Sequence, residues 1–421
     1  MNIQKNKYTI FTAISELITN SGVQQKEGCR LQPEDLGIIK DAALVVSNGK
    51  LHWFGPESAL PKEFLENAGA IKKVNGFVSP CLVDAHTHFL FAGSRAGEFE
   101  KRLAGQTYQQ IAAAGGGIQS SVAALRDCDE KTLEMQLVRK LMAYLAEGVR
   151  VLEIKTGYGL SFESEMKSLR VLQRVRQYFA DKGLRVEVTF MAAHALPKEY
   201  RGNAEGYIDL IIDQMLPEIS KQQLATACDV FCDEGYFTND QTRQILSAAK
   251  QHGLKIKMHA DELANTQGAT LAAELGCLSA DHLLKADRDG LSKMAAVGTV
   301  AVVLPMTGLY LGIGYAPVDA MRELGVCMAV ASDYNPGTSP TSSLSVAMAL
   351  AVLGAGMKPH EAFAGVTYNA SRALGLSDIY GFIYSEMPID YLISFPWVPS
   401  YLDLITAPGD RTMRACDLSD L

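Results

Sequence analysis

The feature that most constrains the fold of this 421-residue chain is a series of eight short apolar segments. They occupy residues 81–87, 149–155, 185–193, 227–232, 254–259, 279–283, 299–305 and 327–332. The stretches between them, such as Glu130–Glu147, Glu163–Lys182 and Thr238–His252, have the periodicity of amphipathic helices. Eight strand–helix units over about 250 residues predict an α/β fold, a (β/α)8 TIM barrel. A doubly wound open sheet is the alternative, but no GxGxxG motif opens a helix after the first strand.

The two ends of the chain have a different pattern, which indicates a second, smaller unit. Two short apolar stretches flank Asn48-Gly49, a strong signal for a β-hairpin. After Leu376 the sequence returns to short apolar pieces, including FIYSEMPIDYLIS, which we expect to pair with that hairpin. We therefore predict a small β-rich, sandwich-like domain from residues 1–76 and 376–421, and a barrel from 77–375. The sequence leaves open whether the polar last fifteen residues are ordered.

Composition excludes several classes of partner. The net charge of −8 comes without a basic stripe, so we expect no binding to nucleic acid. The longest apolar stretch, around residues 297–306, is far shorter than the ~20 residues of a membrane span, and the N-terminal residues lack a signal peptide's apolar core. The eight cysteines include no CxxC motif and several lie in apolar segments, which favours a reducing cytoplasm.

Residues that can bind a metal stand at the ends of the apolar segments. His86 lies at the end of the first segment and His88 follows just beyond it. His259 closes the fifth, and Asp333 follows the eighth. Because the carboxyl ends of barrel strands share one mouth, and residues two apart on a strand share a face, we expect these side chains to meet. Three neutral imidazoles and a carboxylate suit Zn²⁺ or Fe and leave a position for a water nucleophile, so the sequence predicts a metal-dependent enzyme.

Three further residues near these ligands are candidates for catalysis. Glu262 follows His259 closely and can hold the attacking water or protonate a leaving nitrogen, unless it is only an acid at a helix start. His282 ends the sixth segment and can contact the water or orient Asp333. His194 follows the third segment and is a candidate donor to a carbonyl oxygen that becomes an oxyanion. The base stays open among Glu262, His282 and Asp333.

Longer motifs then give a specific resemblance. The chain contains VDAHTHFLFAGSRAGEFEKRLAGQTYQQIAAAGGGI, EIKTGYGL, TFMAAHALPKEY, DVFCDEGYF, MHADE, SADHL and ASDYNPGTSP. Across residues 77–375 it resembles the amidohydrolase superfamily and, more narrowly, the imidazolonepropionase family, of which GSRAGEF, KTGYGL and NPGTSP are typical. Thr156 stands where that family usually has Ser, and both ends of the chain correspond poorly to it.

The resemblance implies a hydrolase acting on a C–N bond of a cyclic amide, which converts 4-imidazolone-5-propanoate to N-formimidoyl-L-glutamate in histidine degradation. It implies one Zn²⁺ or Fe³⁺ per subunit, held by His86, His88, His259 and Asp333. It implies that substrate is contacted by Arg95, Tyr158, His194, Glu262, Asn335, Gly337 and Thr338. It also implies that the protein is a homodimer and that its substrate is a small molecule carrying a carboxylate.

The chemistry of these residues fits such a substrate. Arg95 can bind a carboxylate through two parallel hydrogen bonds, although a salt-bridged loop arginine would have the same sequence context. Tyr158 is flanked by glycines that permit close approach of the backbone to a ligand; otherwise it is a packed aromatic. The turn from Asn335 to Thr338 can direct N–H groups and a hydroxyl into the mouth, or it is only a turn.

Three alternatives are open at this point. A binuclear, hydantoinase-like cyclic amidase would need a bridging carboxylated lysine on the fourth strand, whereas Lys155 ends the second segment. A cytosine- or guanine-type deaminase shares the His and Asp pattern, but Arg95 favours an anionic substrate. A catalytically silent barrel that serves as a scaffold would be expected to lack some ligands, and none is missing.

Overall fold

The computed structural model describes residues 7–106, 110–111 and 114–421. The strands are β1 Tyr8–Ile18, β2 Ile38–Ser47, β3 Lys50–Pro56, β4 Ala68–Pro80, β5 Leu82–Asp84, β6 Val149–Lys155, β7 Arg185–Ala193, β8 Ala227–Cys232, β9 Lys255–Ala260, β10 Ser279–His282, β11 Val300–Val303, β12 Met328–Val330, β13 Leu392–Pro396 and β14 Cys416–Asp417. The α-helices are α1 Ser21–Gln25, α2 Lys62–Glu66, α3 Ala96–Leu103, α4 Ile118–Asp127, α5 Glu130–Leu145, α6 Phe162–Ala180, α7 Ala204–Leu210, α8 Leu216–Gln222, α9 Asn239–Gln251, α10 Gly268–Leu275, α11 Arg288–Val297, α12 Pro305–Leu311, α13 Val318–Leu324, α14 Leu344–Leu353, α15 Pro359–Gly365, α16 Tyr368–Ala373 and α17 Tyr401–Thr406.

The eight strands from β5 to β12 form one parallel sheet in sequential order, which confirms the predicted (β/α)8 barrel. All eight apolar segments of the sequence contribute a strand to it. The two ends of this sheet meet at the mouth, where the Asp333 N–H donates to the His86 carbonyl at 3.0 Å. That contact brings the residues just after β12 beside those just after β5.

The helices that surround the barrel begin at capping residues. Asp129 accepts from the Thr132 N–H at the start of α5, and Ser161 accepts from the Ser164 N–H at the start of α6. Thr238 and Gln241 form a reciprocal capping box at the start of α9. These caps place the starts of the three predicted helices within a residue of their sequence-based positions.

The two ends of the chain form a second sheet with the strand order β14-β13-β4-β1-β2-β3. The predicted hairpin joins β2 to β3, and its turn residues Asn48 and Gly49 have φ of 51° and 72°, as a two-residue hairpin turn of this kind requires. From the C-terminal segment, β13 pairs antiparallel with β4, and Lys50 in the hairpin bridges to Pro388. The expected pairing between the two ends is therefore present.

Strand β4 runs across the predicted boundary at residues 76–77, and β5 follows it after Cys81. Residues 1–6 of the predicted small domain, and 107–109 and 112–113 of the predicted barrel, lie outside the described residues. The division into domains stays a prediction.

The last fifteen residues contribute to the second sheet. Within them β14 pairs with β13, and the Asp417 carboxylate accepts hydrogen bonds from the Arg150 guanidinium at 2.8 and 3.0 Å. None of the helices in the described part of the chain combines the length and the apolar character that crossing a bilayer requires.

Candidate metal centre and active site

The four predicted metal ligands meet at the mouth of the barrel. Asp333 Oδ1 lies 3.4 Å from His86 Nε2 and 3.6 Å from His88 Nε2. His88 Nε2 lies 3.4 Å from His259 Nε2. Two ligand atoms on one tetrahedral ion, each about 2.0 Å from it, are about 3.3 Å apart, so each of these three distances suits a pair of ligands on one ion. The ligand atoms of His86, His88 and Asp333 all lie within 4.8 Å of one another, and those of His86, His259 and His282 form a second such group.

Hydrogen bonds set the ring orientation of two of these histidines. His86 Nδ1 lies 2.6 Å from Asp281 Oδ2, and His259 Nδ1 lies 3.1 Å from Asp229 Oδ1. Despite burial, the Lys155 ammonium keeps the pKa of Asp229 well below its usual value, so this carboxylate only accepts. The N–H of His259 is therefore on Nδ1, and the lone pair of its Nε2 faces the cluster. The contact with Asp281 holds the His86 ring with its Nε2 toward Asp333. Burial lowers the pKa of His86 well below its usual value, which keeps its imidazole neutral.

The residues present therefore fit a metal ion. His86 Nε2 is buried and has no hydrogen-bond partner among the described residues, which is costly unless another group occupies that position. Asp333 turns Oδ1 to the histidines while its Oδ2 accepts a hydrogen bond from the Thr307 hydroxyl. His282 is a further candidate ligand, because the nitrogen atoms that His282, His86 and His259 offer to a metal lie within 4.8 Å of one another.

A buried network of charges lies beneath these ligands. Lys155 Nζ is 2.7 Å from Asp229 Oδ2 and 2.8 Å from Glu153 Oε2, and Lys257 Nζ is 2.8 Å from Glu153 Oε1. Burial alone would lower the pKa of Lys155, but the carboxylates of Asp229 and Glu153 raise it above its usual value. Lys155 is on the second barrel strand and is held by carboxylates, an arrangement that does not favour a bridging role between two metals.

The cavity above the cluster contains about 420 Å³ of empty space, including its mouth. Its walls bring together six of the seven residues predicted to contact substrate, with two further candidates for catalysis. The six are Arg95, Tyr158, His194, Glu262, Asn335 and Thr338, and the two are His282 and Asp333. Gly337 is not among the residues that line the cavity and lies against the Arg95 guanidinium. A Cβ atom on Gly337 would be 2.1 Å from Arg95 Nη1, so the close approach of the arginine requires glycine.

Arg95 is held in this cavity by Glu98. Arg95 Nε and Nη2 both lie 2.9 Å from Glu98 Oε2. The other oxygen of Glu98 accepts from the Gly117 N–H at 2.9 Å and from the Ser120 hydroxyl at 3.1 Å. Sequence analysis missed Glu98, although an acid three residues after an arginine at a helix start is the local signal for such a pair.

The turn from Asn335 to Thr338 is held together by its own hydrogen bonds. Asn335 Oδ1 accepts from the N–H groups of Gly337 at 2.8 Å and Thr338 at 2.7 Å, while its Nδ2 donates to the Asp333 carbonyl at 2.8 Å. The two N–H groups that were expected to face a ligand are thus directed to Asn335. The Asn335 and Thr338 side chains still line the cavity.

His194 has a defined tautomer. Its Nδ1 lies 3.0 Å from the Gly157 carbonyl, which only accepts, so the ring N–H is on Nδ1. Burial, with His259 nearby, lowers the pKa of His194 to about 3. A neutral ring of this tautomer presents a lone pair at Nε2, which favours acceptance of a hydrogen bond over the donation to an oxyanion expected from the sequence.

Glu262 and His282 form a pair on the cavity wall, with 3.5 Å between Glu262 Oε2 and His282 Nε2. Burial and the nearby Asp333 raise the pKa of Glu262 well above its usual value. The Glu262 backbone N–H donates to Asp233 Oδ2 at 2.7 Å, which fixes the start of its loop. His282 has a φ of 75°, a strained conformation that turns its ring into the cavity.

Comparisons with known proteins decide the family. The sequence model described as "Amidohydrolase family" matches residues 77–383. Imidazolonepropionase of Cupriavidus necator is 44% identical over 368 residues, which is 87% of this chain and 87% of that protein. Imidazolonepropionase of Shewanella oneidensis is 44% identical over 359 residues, 85% of this chain and 87% of that protein. The chain belongs to the imidazolonepropionase family. As a member of this family it is a hydrolase of C–N bonds in cyclic amides.

Solved structures of other amidohydrolase folds resemble the whole chain. A. niger ochratoxinase gives a TM-score of 0.66 at 17% identity, covering 97% of this chain and 94% of that one. A triazine hydrolase variant gives 0.72 at 14% identity, covering 97% and 92%. At these identities the likeness concerns the fold, and it extends over both sheets of this imidazolonepropionase-family protein.

Proposed function

We propose that this chain hydrolyses the ring amide of 4-imidazolone-5-propanoate to give N-formimidoyl-L-glutamate. The observation that carries the proposal is the meeting, in one buried cavity, of an ion-sized cluster of histidines and Asp333 with the guanidinium of Arg95. The relatives at 44% identity bear the name of this activity. The cavity suits a flat ring carrying a propanoate, because Arg95 can bind the propanoate while the ring lies at the cluster of histidines and Asp333.

Several groups that line the cavity orient the substrate. Arg95 binds the propanoate, and Glu98 keeps its guanidinium in place. His194 accepts a hydrogen bond from a ring N–H through Nε2, since its own N–H is used by the Gly157 carbonyl. Tyr158 packs beside His194, with ring centroids 5.2 Å apart, and limits the space around the ring.

His86, His88, His259 and Asp333 hold one ion, for which Zn²⁺ and Fe³⁺ are both suitable. When bound, such an ion lowers the pKa of a water molecule and polarises a carbonyl group. The four side chains are nearly fully buried, so they also exclude bulk water from the reacting atoms.

We assign the proton transfers to Glu262. Asp333 has both oxygens engaged, one with Thr307 and the other with the histidines. Glu262 faces the cavity beside His282, so its carboxylate can take the proton that water loses and deliver it to the ring nitrogen as the C–N bond breaks. His282 orients Glu262 through the 3.5 Å contact.

An ultraviolet assay of imidazolone loss tests the proposal. Protein loaded with Zn²⁺ or Fe is expected to consume the substrate, to lose activity with chelator and to regain it on metal addition. Elemental analysis should give one ion per chain. In Glu262→Gln the metal content should persist while kcat falls by about 100-fold or more. Metal-loaded protein that leaves imidazolone intact and instead releases ammonia from cytosine or guanine would establish the deaminase alternative.

We also propose that the protein is a cytoplasmic homodimer. The eight cysteines are all free, as expected in a reducing compartment. Light scattering on the purified protein should give twice the chain mass of 45.6 kDa.

A further inference from the structure

A series of buried polar groups connects the barrel interior to one of the proposed metal ligands. Lys155 Nζ on β6 donates to Asp229 Oδ2 on β8 at 2.7 Å. Asp229 Oδ1 accepts from His259 Nδ1 at 3.1 Å and from the His259 backbone N–H at 3.2 Å, both on β9. All three side chains are at most 3% exposed. Three barrel strands thus contribute one residue each: β8 and β9 are neighbours, and β7 separates β6 from β8.

We infer that Lys155 is a positioning residue of the metal centre, whose ammonium holds Asp229 in the orientation that directs His259 Nε2 at the ion. This inference rests on the proposed metal site. Lys155 itself contacts neither the substrate cavity nor the reacting atoms.

The geometry explains why one amine has this effect. Asp229 receives donors on both oxygens, two from His259 on one side and one from Lys155 on the other. Together they restrict rotation of the carboxylate about its Cβ–Cγ bond. Loss of the ammonium leaves Oδ2 without this donor in a fully buried position, so the carboxylate rotates toward other donors and no longer fixes the His259 ring.

Lys257 provides a matched control. It is an equally buried lysine, and its Nζ is 2.8 Å from Glu153 Oε1 and 2.8 Å from the Ala85 carbonyl. Both lysines contact Glu153, and both lie near Asp281 Oδ2, at 3.6 Å for Lys155 and 3.8 Å for Lys257, so the loss of these contacts is common to the two substitutions. Only Lys155 also donates to Asp229, so the hydrogen bonds between Asp229 and His259 persist when Lys257 is replaced. A purely structural role for Lys155 predicts similar effects of both substitutions.

The experiment compares metal-free wild-type protein, Lys155→Met and Lys257→Met. Affinity for Zn²⁺ is measured by competition with a chromophoric chelator, and thermal unfolding is followed in the absence of metal. Lys155→Met should bind Zn²⁺ about 10- to 100-fold more weakly, and Lys257→Met within about threefold of wild type, although both unfold at lower temperature. Equal losses of affinity in the two variants, or an unchanged affinity in Lys155→Met, would overturn the inference.

A second variant keeps the test decisive if Lys155→Met does not fold. Asp229→Asn changes the shape of the site little and should also weaken Zn²⁺ binding about 10- to 100-fold. Where the double variant Lys155→Met/Asp229→Asn folds, its affinity for Zn²⁺ should match that of Asp229→Asn, because both residues act through one contact. A wild-type affinity in Asp229→Asn would refute the inference. A wild-type protein that binds no Zn²⁺ or Fe would instead refute the metal site itself.

Discussion

At the scale of single residues, three side chains of the proposed site are each held by a carboxylate that does not line the cavity. Asp281 holds His86, Asp229 holds His259 and Glu98 holds Arg95. Such partners fix which atom of a side chain faces the substrate or the ion. Measurements that probe one side chain or one ring N–H therefore give the most direct test of the chemistry of the site.

Replacement of Arg95 tests how the substrate is bound. Arg95→Ala should raise KM by about 10- to 100-fold and lower kcat much less, because a charged hydrogen-bonding partner of the propanoate is lost while the reacting groups persist. Steady-state kinetics measures both constants. As a control, an imidazolone with an uncharged side chain should be hydrolysed with the same kcat/KM by both proteins. An unchanged KM for the natural substrate would contradict the assignment.

The tautomer of His194 can be observed directly. Long-range ¹⁵N–¹H spectra of protein labelled at histidine should place the His194 N–H on Nδ1, since this atom donates to the Gly157 carbonyl. His360 serves as an internal reference of the opposite tautomer, because its Nε2 faces the Leu31 carbonyl at 3.2 Å. An Nε2–H signal for His194 would restore its role as a donor to the oxyanion.

The sequence predicts the identity of these residues better than their contacts. The sequence predicts His86, His88, His259 and Asp333 as ligands because metal-binding residue types coincide with strand ends, which is a local pattern. Asp229 and Asp281 lie inside apolar segments, and their partners depend on the register between strands, in which Asp281 pairs with His259 and Asp229 pairs with Lys257. That register follows from packing of the whole barrel, so single-residue patterns do not reveal it.

At the scale of elements, strand ends and the loops just after them carry the proposed ligands and reacting groups. His259 and His282 lie on β9 and β10, while His86, His88 and Asp333 follow β5 and β12. The strands were predictable because eight apolar segments recur with helices between them. The conformation of the loop after β9 was less predictable, because Asp233, just after β8, holds this loop in place. The Asp233 carboxylate accepts from the N–H groups of Glu262, Leu263 and Ala264 at 2.7, 2.9 and 3.1 Å. A contact between two loops has no periodic signal in the sequence.

Replacement of Asp233 should therefore lower kcat, because the loop that carries Glu262 is held less firmly. In Asp233→Asn an amide group replaces one accepting oxygen, and we expect kcat to fall by about tenfold with little change in KM or metal content. Steady-state kinetics and elemental analysis measure these quantities. Asp129 caps the start of α5, far along the chain from Asp233, so Asp129→Asn is the control and should keep wild-type kcat. A wild-type kcat in Asp233→Asn would show that the loop holds Glu262 without this carboxylate.

Glu147 should make the stability of the fold depend on pH. It lies between α5 and β6, accepts from the Ser343 hydroxyl and the Leu344 N–H at 3.1 Å, and burial raises its pKa to about 7. A carboxyl group whose pKa is raised on folding disfavours the folded state once it ionises, so its cost develops as pH rises from about 4.5 to about 7.

Glu147→Gln should consequently raise the free energy of unfolding at pH 8 by about 1–2 kcal/mol and leave it nearly unchanged at pH 4.5. Thermal unfolding of both proteins at the two pH values measures the difference. Glu66→Gln at the exposed end of α2 controls for the loss of one negative charge. A variant that is less stable than wild type at pH 8 would show that the hydrogen bonds from Ser343 and Leu344 outweigh the cost of ionisation.

At the scale of the whole molecule, the two sheets share their hydrophobic interior. Phe395 on β13 stacks on Phe77 on β4 with ring centroids 4.6 Å apart. Ile393, Phe395 and Val398 pack in the same cluster of buried residues as the barrel strands and helices. The sequence predicted that the chain ends would pair, but not that they would share the barrel core, because an apolar pattern shows that a face is buried and not which element covers it.

Deletion of residues 392–421 should for this reason unfold the barrel as well as the second sheet. The deletion removes β13 and β14, exposes the edge of β4 and uncovers Phe77, so both an unpaired strand and apolar surface become available for aggregation. We expect little soluble protein, and no cooperative unfolding transition in what remains. A chain that ends at Leu418 removes three residues of which Ser419 and Asp420 are exposed, and it should unfold as wild type does. If the longer deletion instead yields soluble protein that binds one Zn²⁺ and unfolds cooperatively, the barrel folds without the second sheet and the predicted domains are independent units.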